Sequence, residues 1–391
     1  MSHPASGFLP RFLLLALVSG ATVGMAKIVI TLYALALGAD AWQIGVIAAM
    51  EALGMLFLTL PAGFVIARFG ARRVYALSSL GPMLVNLAIP LYAAWWWLAL
   101  GQLLIGLFIP FRIVAMNGSF LRQLKHLGTD KAGWYRGALT LGLGLLGPLL
   151  GNAFSERGAF SLAFMLIAAS FAGMALYSLR FWEGAGDASP SGTAPASGML
   201  AQVRQLLGER SIRQSCTVEL SNSATTSLFT TFIILLALEG GVPQGHAVSL
   251  VMIEALFAVL ALFGLGRVLR STSPGRAYAL GLVLAITALL VCGLGHGYGW
   301  LVLAAVLVSL ATATVHLVNM ARLSQRREDS SKLSGLFNLA SMAGSFGGAL
   351  LGGAISHFTG LANLFLCWIP LLLLVAWCCR QPRQQVQEVV A

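Results

Sequence analysis

Along almost the whole chain, apolar residues gather in stretches of about twenty, parted by short polar or basic segments. A helix needs about 20 apolar residues to cross a hydrocarbon core. Twelve runs reach that length, near residues 12–38, 42–66, 74–94, 96–117, 136–154, 158–179, 214–238, 246–266, 277–295, 298–320, 333–355 and 361–379. The pattern predicts an all-α polytopic membrane protein with twelve transmembrane helices.

Composition agrees, since 58% of the 391 residues are hydrophobic and 9% are charged, against roughly a quarter charged in soluble proteins. Basic residues orient the spans, because Lys and Arg are retained on the cytoplasmic side. With both termini cytoplasmic, 21 of the 24 Lys and Arg fall in cytoplasmic segments, Lys27 and Arg112 lie inside spans, and Arg157 is outside. The net charge of +11 then reads as a topology signal with anionic-lipid contact, not as a nucleic-acid footprint. Arg11 leads into a continuous span with no small-residue cleavage site, which reads as a retained first helix in the inner membrane. The five cysteines lie within spans without metal-ligand spacing and read as packing residues, and adjacent Cys378 and Cys379 are also candidates for lipidation.

The chain also repeats itself. Glu51-Ala52-Leu53 recurs 203 positions later as Glu254-Ala255-Leu256, and Arg73, Tyr75, Ala76 and Leu77 fall on Arg276, Tyr278, Ala279 and Leu280. GPLLGNAFS at 147–155 matches GALLGGAIS at 348–356, and Asn117 matches Asn319. Between the copies lies the small-residue segment EGAGDASPSGTAPASG, 183–198, followed by the cationic, amphipathic LAQVRQLLGERSIRQ, which is either a surface helix or a plain connector. The expected organisation is therefore a six-helix bundle at 1–182, a cytoplasmic linker at 183–213, and a second, pseudo-symmetric six-helix bundle at 214–391. Two parallel repeats of this kind form a transporter plan with substrate bound between the halves.

Short motifs strengthen this reading. In GFVIARFGARR, residues Gly63, Arg68, Gly70, Arg72 and Arg73 match the loop between the second and third spans of the major facilitator superfamily, which the chain resembles. Ala67 stands where that family carries an acidic residue, so the family's cytoplasmic gate latch does not transfer. GPLLGN, with Gly147, Pro148 and Gly151, resembles the fifth-helix signature of the family's drug and metabolite antiporters, with Asn152 in place of its last glycine. The resemblance implies export; simple close packing of helices explains the same residues. GLGLLG at 142–147 satisfies Gly-x-Gly-x-x-Gly within an apolar span, which excludes a dinucleotide site, and the chain has no GxxxxGK[ST] phosphate loop. Uphill transport would then draw on an ion gradient or a separate subunit, with no bound cofactor or metal expected.

Ionisable groups at membrane depth are expensive and face a partner or a cavity. Lys27, Glu51 and Glu254 fall near the centres of their spans. Arg112, Glu219 and His316, with Asn117, Asn222, Asn319 and Asn338, fall toward the cytoplasmic side. Glu51 and Glu254 are repeat-equivalent carboxylates able to load a proton. Lys27 is expected to neutralise Glu51, whereas Glu254 has Thr230 at the position equivalent to Lys27 and is the better proton site. Arg112 either grips an anionic group of the substrate or latches to Glu219, and His316 titrates in a range suited to coupling or is simply solvated. The sequence supports a monomeric, proton-coupled exporter of a small molecule, a drug-like compound or a secreted metabolite such as a siderophore. A proton symporter importing a small, anionic solute is the second reading. No His-Glu-x-x-His or Gly-x-Ser-x-Gly signature supports an enzyme.

Overall fold

The computed structural model describes residues 5–127, 132–181, 208–270, 272–295, 297–324 and 330–379. The first six spans are α1 (Ala5–Ala36), α2 (Ala41–Phe69), α3 (Ala71–Ala88), α4 (Trp95–Leu127), α5 and α6 (Phe160–Phe181). Helix α5 is composite: Ala132–Leu141 is α-helical, Gly142–Leu146 forms a π turn, and Gly147–Glu156 resumes the α-helix. The second six are α7 (Arg210–Glu239), α8 (Gln244–Arg270), α9 (Pro274–Leu294), α10 (Tyr298–Ser324), α11 (Ser330–Thr359) and α12 (Leu361–Cys378). All twelve expected spans are present as helices long and apolar enough to cross a bilayer. Helix α7 begins at Arg210, inside the segment expected to be linker. Residues 183–207, which carry most of that segment, lie outside the described residues.

Sequence chemistry sets the helix ends. Asp40 and Gln43 form a reciprocal capping box at the start of α2, with Gln43 N donating to Asp40 Oδ1 at 2.8 Å and Asp40 N to Gln43 Oε1 at 3.1 Å. Gly38 and Gly241, one repeat apart, both adopt positive φ (77° and 75°) in the loops leaving α1 and α7, a conformation that L side chains resist.

The internal repeat is physical. A side chain on Gly147 would meet Ala21 O at 2.6 Å, and one on Gly348 would meet Ala224 O at 2.1 Å. Gly348 and Ala224 are the repeat counterparts of Gly147 and Ala21, so α5 packs on α1 as α11 packs on α7. Small residues let the backbones approach closely where lipid supplies no hydrophobic drive. The symmetry breaks at Pro148, whose counterpart is Ala349. Proline has no N–H for the carbonyl four residues earlier, and the π turn at Gly142–Leu146 lies just before it, while α11 runs uninterrupted.

Candidate functional site

A polar network lies inside the second half. Asn319 on α10 donates from Nδ2 to Glu219 Oε2 on α7 at 2.9 Å and accepts at Oδ1 from the Tyr278 hydroxyl on α9 at 2.6 Å. Both polar atoms of this fully buried amide are therefore satisfied, as a low-dielectric setting demands. His316 Nδ1 stands 3.9 Å from Glu219 Oε1, with its ring about a quarter exposed. Arg322 lies over the Tyr278 ring at 5.6 Å and reaches Gln214 Oε1 at 3.4 Å. Asn222 lines a cavity of about 980 Å³ among α7, α9, α10 and α12. Asn338, on α11, is exposed.

Arg112 lies inside the first half among aromatic rings. Its guanidinium is sandwiched between the rings of Tyr75 and Phe171, at 4.8 and 4.5 Å, within the first half. Its Nη2 donates to the Tyr75 hydroxyl at 3.0 Å and lies 3.3 Å from Met174 Sδ and 3.4 Å from Ser19 Oγ. The latch to Glu219 is not formed: Glu219 is bonded to Asn319 and Arg112 Nη2 to Tyr75, each within its own half, while the buried Arg112 Nη1 has no hydrogen-bond partner.

Lys27 and Glu51 also depart from expectation. They line one cavity of about 10 Å³ with Asn86, Gln102 and Phe171, room for about one water, but no ion pair within 4.0 Å joins them. Helix α1 packs mainly on α5 and α6, so neighbours in sequence are not the nearest neighbours in space. Lys27 is exposed, and Glu254 is buried on α8 of the other half.

The halves close on each other at the end away from the termini. Gln244 Nε2 on α8 donates to Asn152 Oδ1 on α5 at 3.1 Å, and Asn152 Nδ2 donates to Glu156 Oε1 at 2.9 Å. On the pseudo-symmetric side, a side chain on Gly45 of α2 would meet Ala349 O and Gly353 Cα of α11 at 2.7 and 2.8 Å. Toward the other end of α2, α5 and α8, Gly63, Gly137 and Gly264 meet nothing within 4 Å.

The sequence profile of the Major Facilitator Superfamily matches residues 12–317, more than half of the chain. The chain belongs to that superfamily. No curated protein matches it by sequence. Solved structures of the fold align over nearly the full length. The nucleoside transporter NupG shares 14% identity with a TM-score of 0.80, covering 94% of this chain and 97% of its own. A bacterial homolog of the human lysosomal transporter Spinster, inward-facing and unoccupied, shares 14% identity with a TM-score of 0.77 and 97% coverage of both chains. A POT family transporter in complex with 5-aminolevulinic acid shares 12% identity with a TM-score of 0.78, covering 95% of this chain and 94% of its own. The chain is a multi-pass membrane transporter and not an enzyme.

The superfamily loop motif sits at the α2–α3 junction, where Gly70 takes φ +81° and is the single residue between the helices. Arg72 donates through Nη2 to Leu179 O near the end of α6, a cation placed against a helix C-terminus. Arg68 lies 5.3 Å from the Phe69 ring centroid, and Arg73 is exposed. In the fifth-helix motif, Gly147 and Gly151 both face α1: side chains there would meet Ala21 O and Ile28 Cβ. Sequence reasoning passed over Asn152 as a mere departure from that motif, yet it carries the hydrogen bond between the halves. It also passed over Tyr75 and Tyr278 as repeat markers, although each carries an arginine on its ring.

Proposed function

We propose that this superfamily member is a proton-coupled secondary transporter, with Glu254 as the coupling carboxylate. The carrying observation is a carboxylate, Glu254, buried on α8 of the second half beside Ala255, whose Cβ lies 2.3 Å from where a side chain on Gly144 of α5 would begin, at the interface that alternating access must open and close. Ionised and protonated Glu254 place different charges in that interface, so proton binding and the conformational change become linked.

Export is the proposed direction, on the resemblance of Gly147, Pro148 and Gly151 to the antiporter signature. Both termini are proposed to be cytoplasmic in the inner membrane, on the distribution of Lys and Arg, and the protein to act as a monomer. The proposed substrate is small and polar or amphipathic. Proteins sharing this fold include one named for nucleoside transport and one bound to 5-aminolevulinic acid, which suits that size class.

Reconstituted vesicles with a pH gradient imposed in either direction test the proposal. Candidate solutes should be driven by the gradient in the wild type. The Glu254→Gln variant should keep solute exchange and lose gradient-driven flux. Undiminished gradient-driven flux in that variant would remove Glu254 from the coupling role.

A further inference from the structure

The two halves treat one repeat-equivalent space in opposite ways. In the first half, the region among α1, α3, α4 and α6 is filled by the Arg112 guanidinium packed against Tyr75, Phe171 and Met174. At the 202-residue offset that relates Asn117 to Asn319 on the same two helices, Arg112 falls on Thr314. At the 201-residue offset that relates Gly147 to Gly348, Phe171 and Met174 fall on Leu372 and Val375. The tyrosine is kept, the cation gives way to a threonine, and the ring and the thioether are exchanged for shorter aliphatic chains. Leu372 and Val375 line the cavity of about 980 Å³, as does Val315 beside Thr314.

This cavity has a polar end and a body of mixed walls. Arg322, Tyr278, Gln214 and Ser273 gather at the end where α7 and α9 begin and α10 and α12 finish. Deeper in, Leu282 and Ala285 of α9 and Leu372 of α12 form apolar walls, while Ser221, Asn222 and Thr225 of α7 and Thr312 of α10 give a polar one. Arg322 and Val308 lie fourteen residues apart on α10, so the cavity follows that helix for about 21 Å at 1.5 Å per residue. That depth is most of a hydrocarbon core roughly 30 Å thick. Along α12 the lining includes Leu373 and Trp377, both exposed on the outer surface of the bundle.

We propose that the cavity is a binding site for an anionic phospholipid, with its phosphate at Arg322 and one acyl chain along α10 and α12. The Arg322 guanidinium, bonded to Gln214 Oε1 and the Tyr278 hydroxyl at 3.4 and 3.3 Å, is a cation of the kind that suits phosphate, three residues beyond the span Tyr298–Asn319. Below it the α9 and α12 walls are apolar over an acyl-chain length. A soluble anion would leave those walls uncovered. The site is separate from the interface between the halves and rests on α9 and α12, so its occupant would act on the second half as a fixed strut.

The test uses the purified full chain in neutral detergent, with lipid added to mixed micelles and thermal unfolding as the readout. Phosphatidylglycerol should raise the unfolding temperature saturably, while phosphatidylcholine and glycerol phosphate should not. Arg322→Gln should weaken the half-saturating concentration of phosphatidylglycerol at least tenfold, with Arg322→Lys intermediate. The double variant Leu372→Phe, Val375→Met, which installs the first half's packing without altering charge, should abolish the response in a folded protein. An equal response to phosphatidylcholine, an unchanged response in the double variant, or full stabilisation by glycerol phosphate would each overturn the proposal.

Discussion

Gln244 Nε2 in the second half and Asn152 Oδ1 in the first are joined at 3.1 Å, a hydrogen bond that spans the pseudo-symmetry interface at its closed end. At the equivalent interface the corresponding residues are Gly353 and the α2 segment around Trp42, which meet through backbone, with Trp42 O 3.1 Å from the Gly353 Cβ position. One side of this closure is thus polar and separable, the other close-packed. Cysteines at positions 152 and 244, oxidised together, should halt transport in vesicles, and reductant should restore it. Each single cysteine should leave transport within a few-fold of wild type, since one neutral hydrogen bond is worth about 0.5–1.5 kcal/mol.

Glycine is required at repeat-equivalent positions 147 and 348, where a Cβ would stand 2.6 Å from Ala21 O and 2.1 Å from Ala224 O. Gly147→Leu and Gly348→Leu should each push a helix pair apart and cost about 1–3 kcal/mol or more, the range for overpacking. Gly63→Ala, at a position with open space around it, is the control. Thermal unfolding of the purified variants should show both leucine variants shifted down and the control unchanged.

Arg112 is held by two aromatic rings and the Tyr75 hydroxyl, and Glu219 by Asn319. Arg112→Lys keeps the charge but loses the planar stack, a contact worth about 2 kcal/mol when desolvated. The lysine variant should therefore be less stable, and Glu219→Ala should not rescue Arg112→Ala. A rescue, read as restored expression and unfolding temperature, would revive the latch between the halves.

Within the second half, Asn319→Leu removes the donor to Glu219 and the acceptor for Tyr278 at one stroke. A buried group left unsatisfied costs about 1–3 kcal/mol, and here two are left. The variant should unfold at a lower temperature, and adding Tyr278→Phe should cost less in that background than in the wild type. A double-mutant cycle on unfolding free energies measures the difference.

Much of the architecture was legible in the sequence because its causes are local or repeated. Spans follow from the length of apolar runs, and the capping box at Asp40 and the turn at Gly70 follow from side chains a few residues away. The α1–α5 and α7–α11 contacts were marked by the recurrence of GPLLGNAFS as GALLGGAIS. The pairing of Lys27 with Glu51 was inferred from chain adjacency, and chain adjacency does not say which faces of α1 and α2 meet.

The sequence by itself determined twelve helices, two halves and the identity of the charged residues carried into the membrane, because the bilayer imposes those through length and hydropathy alone. Only the tertiary structure decided which partners the charged residues find: Arg112 with aromatic rings, Glu219 with Asn319. Helix rotation and packing partners set those encounters, and they depend on close contact between residues far apart in the chain. The same holds for the cavity of about 980 Å³ in the second half. Leu372 and Val375 on α12 are smaller than Phe171 and Met174 in the first half, and the room this leaves is a property of packed space that appears only when the helices are brought together.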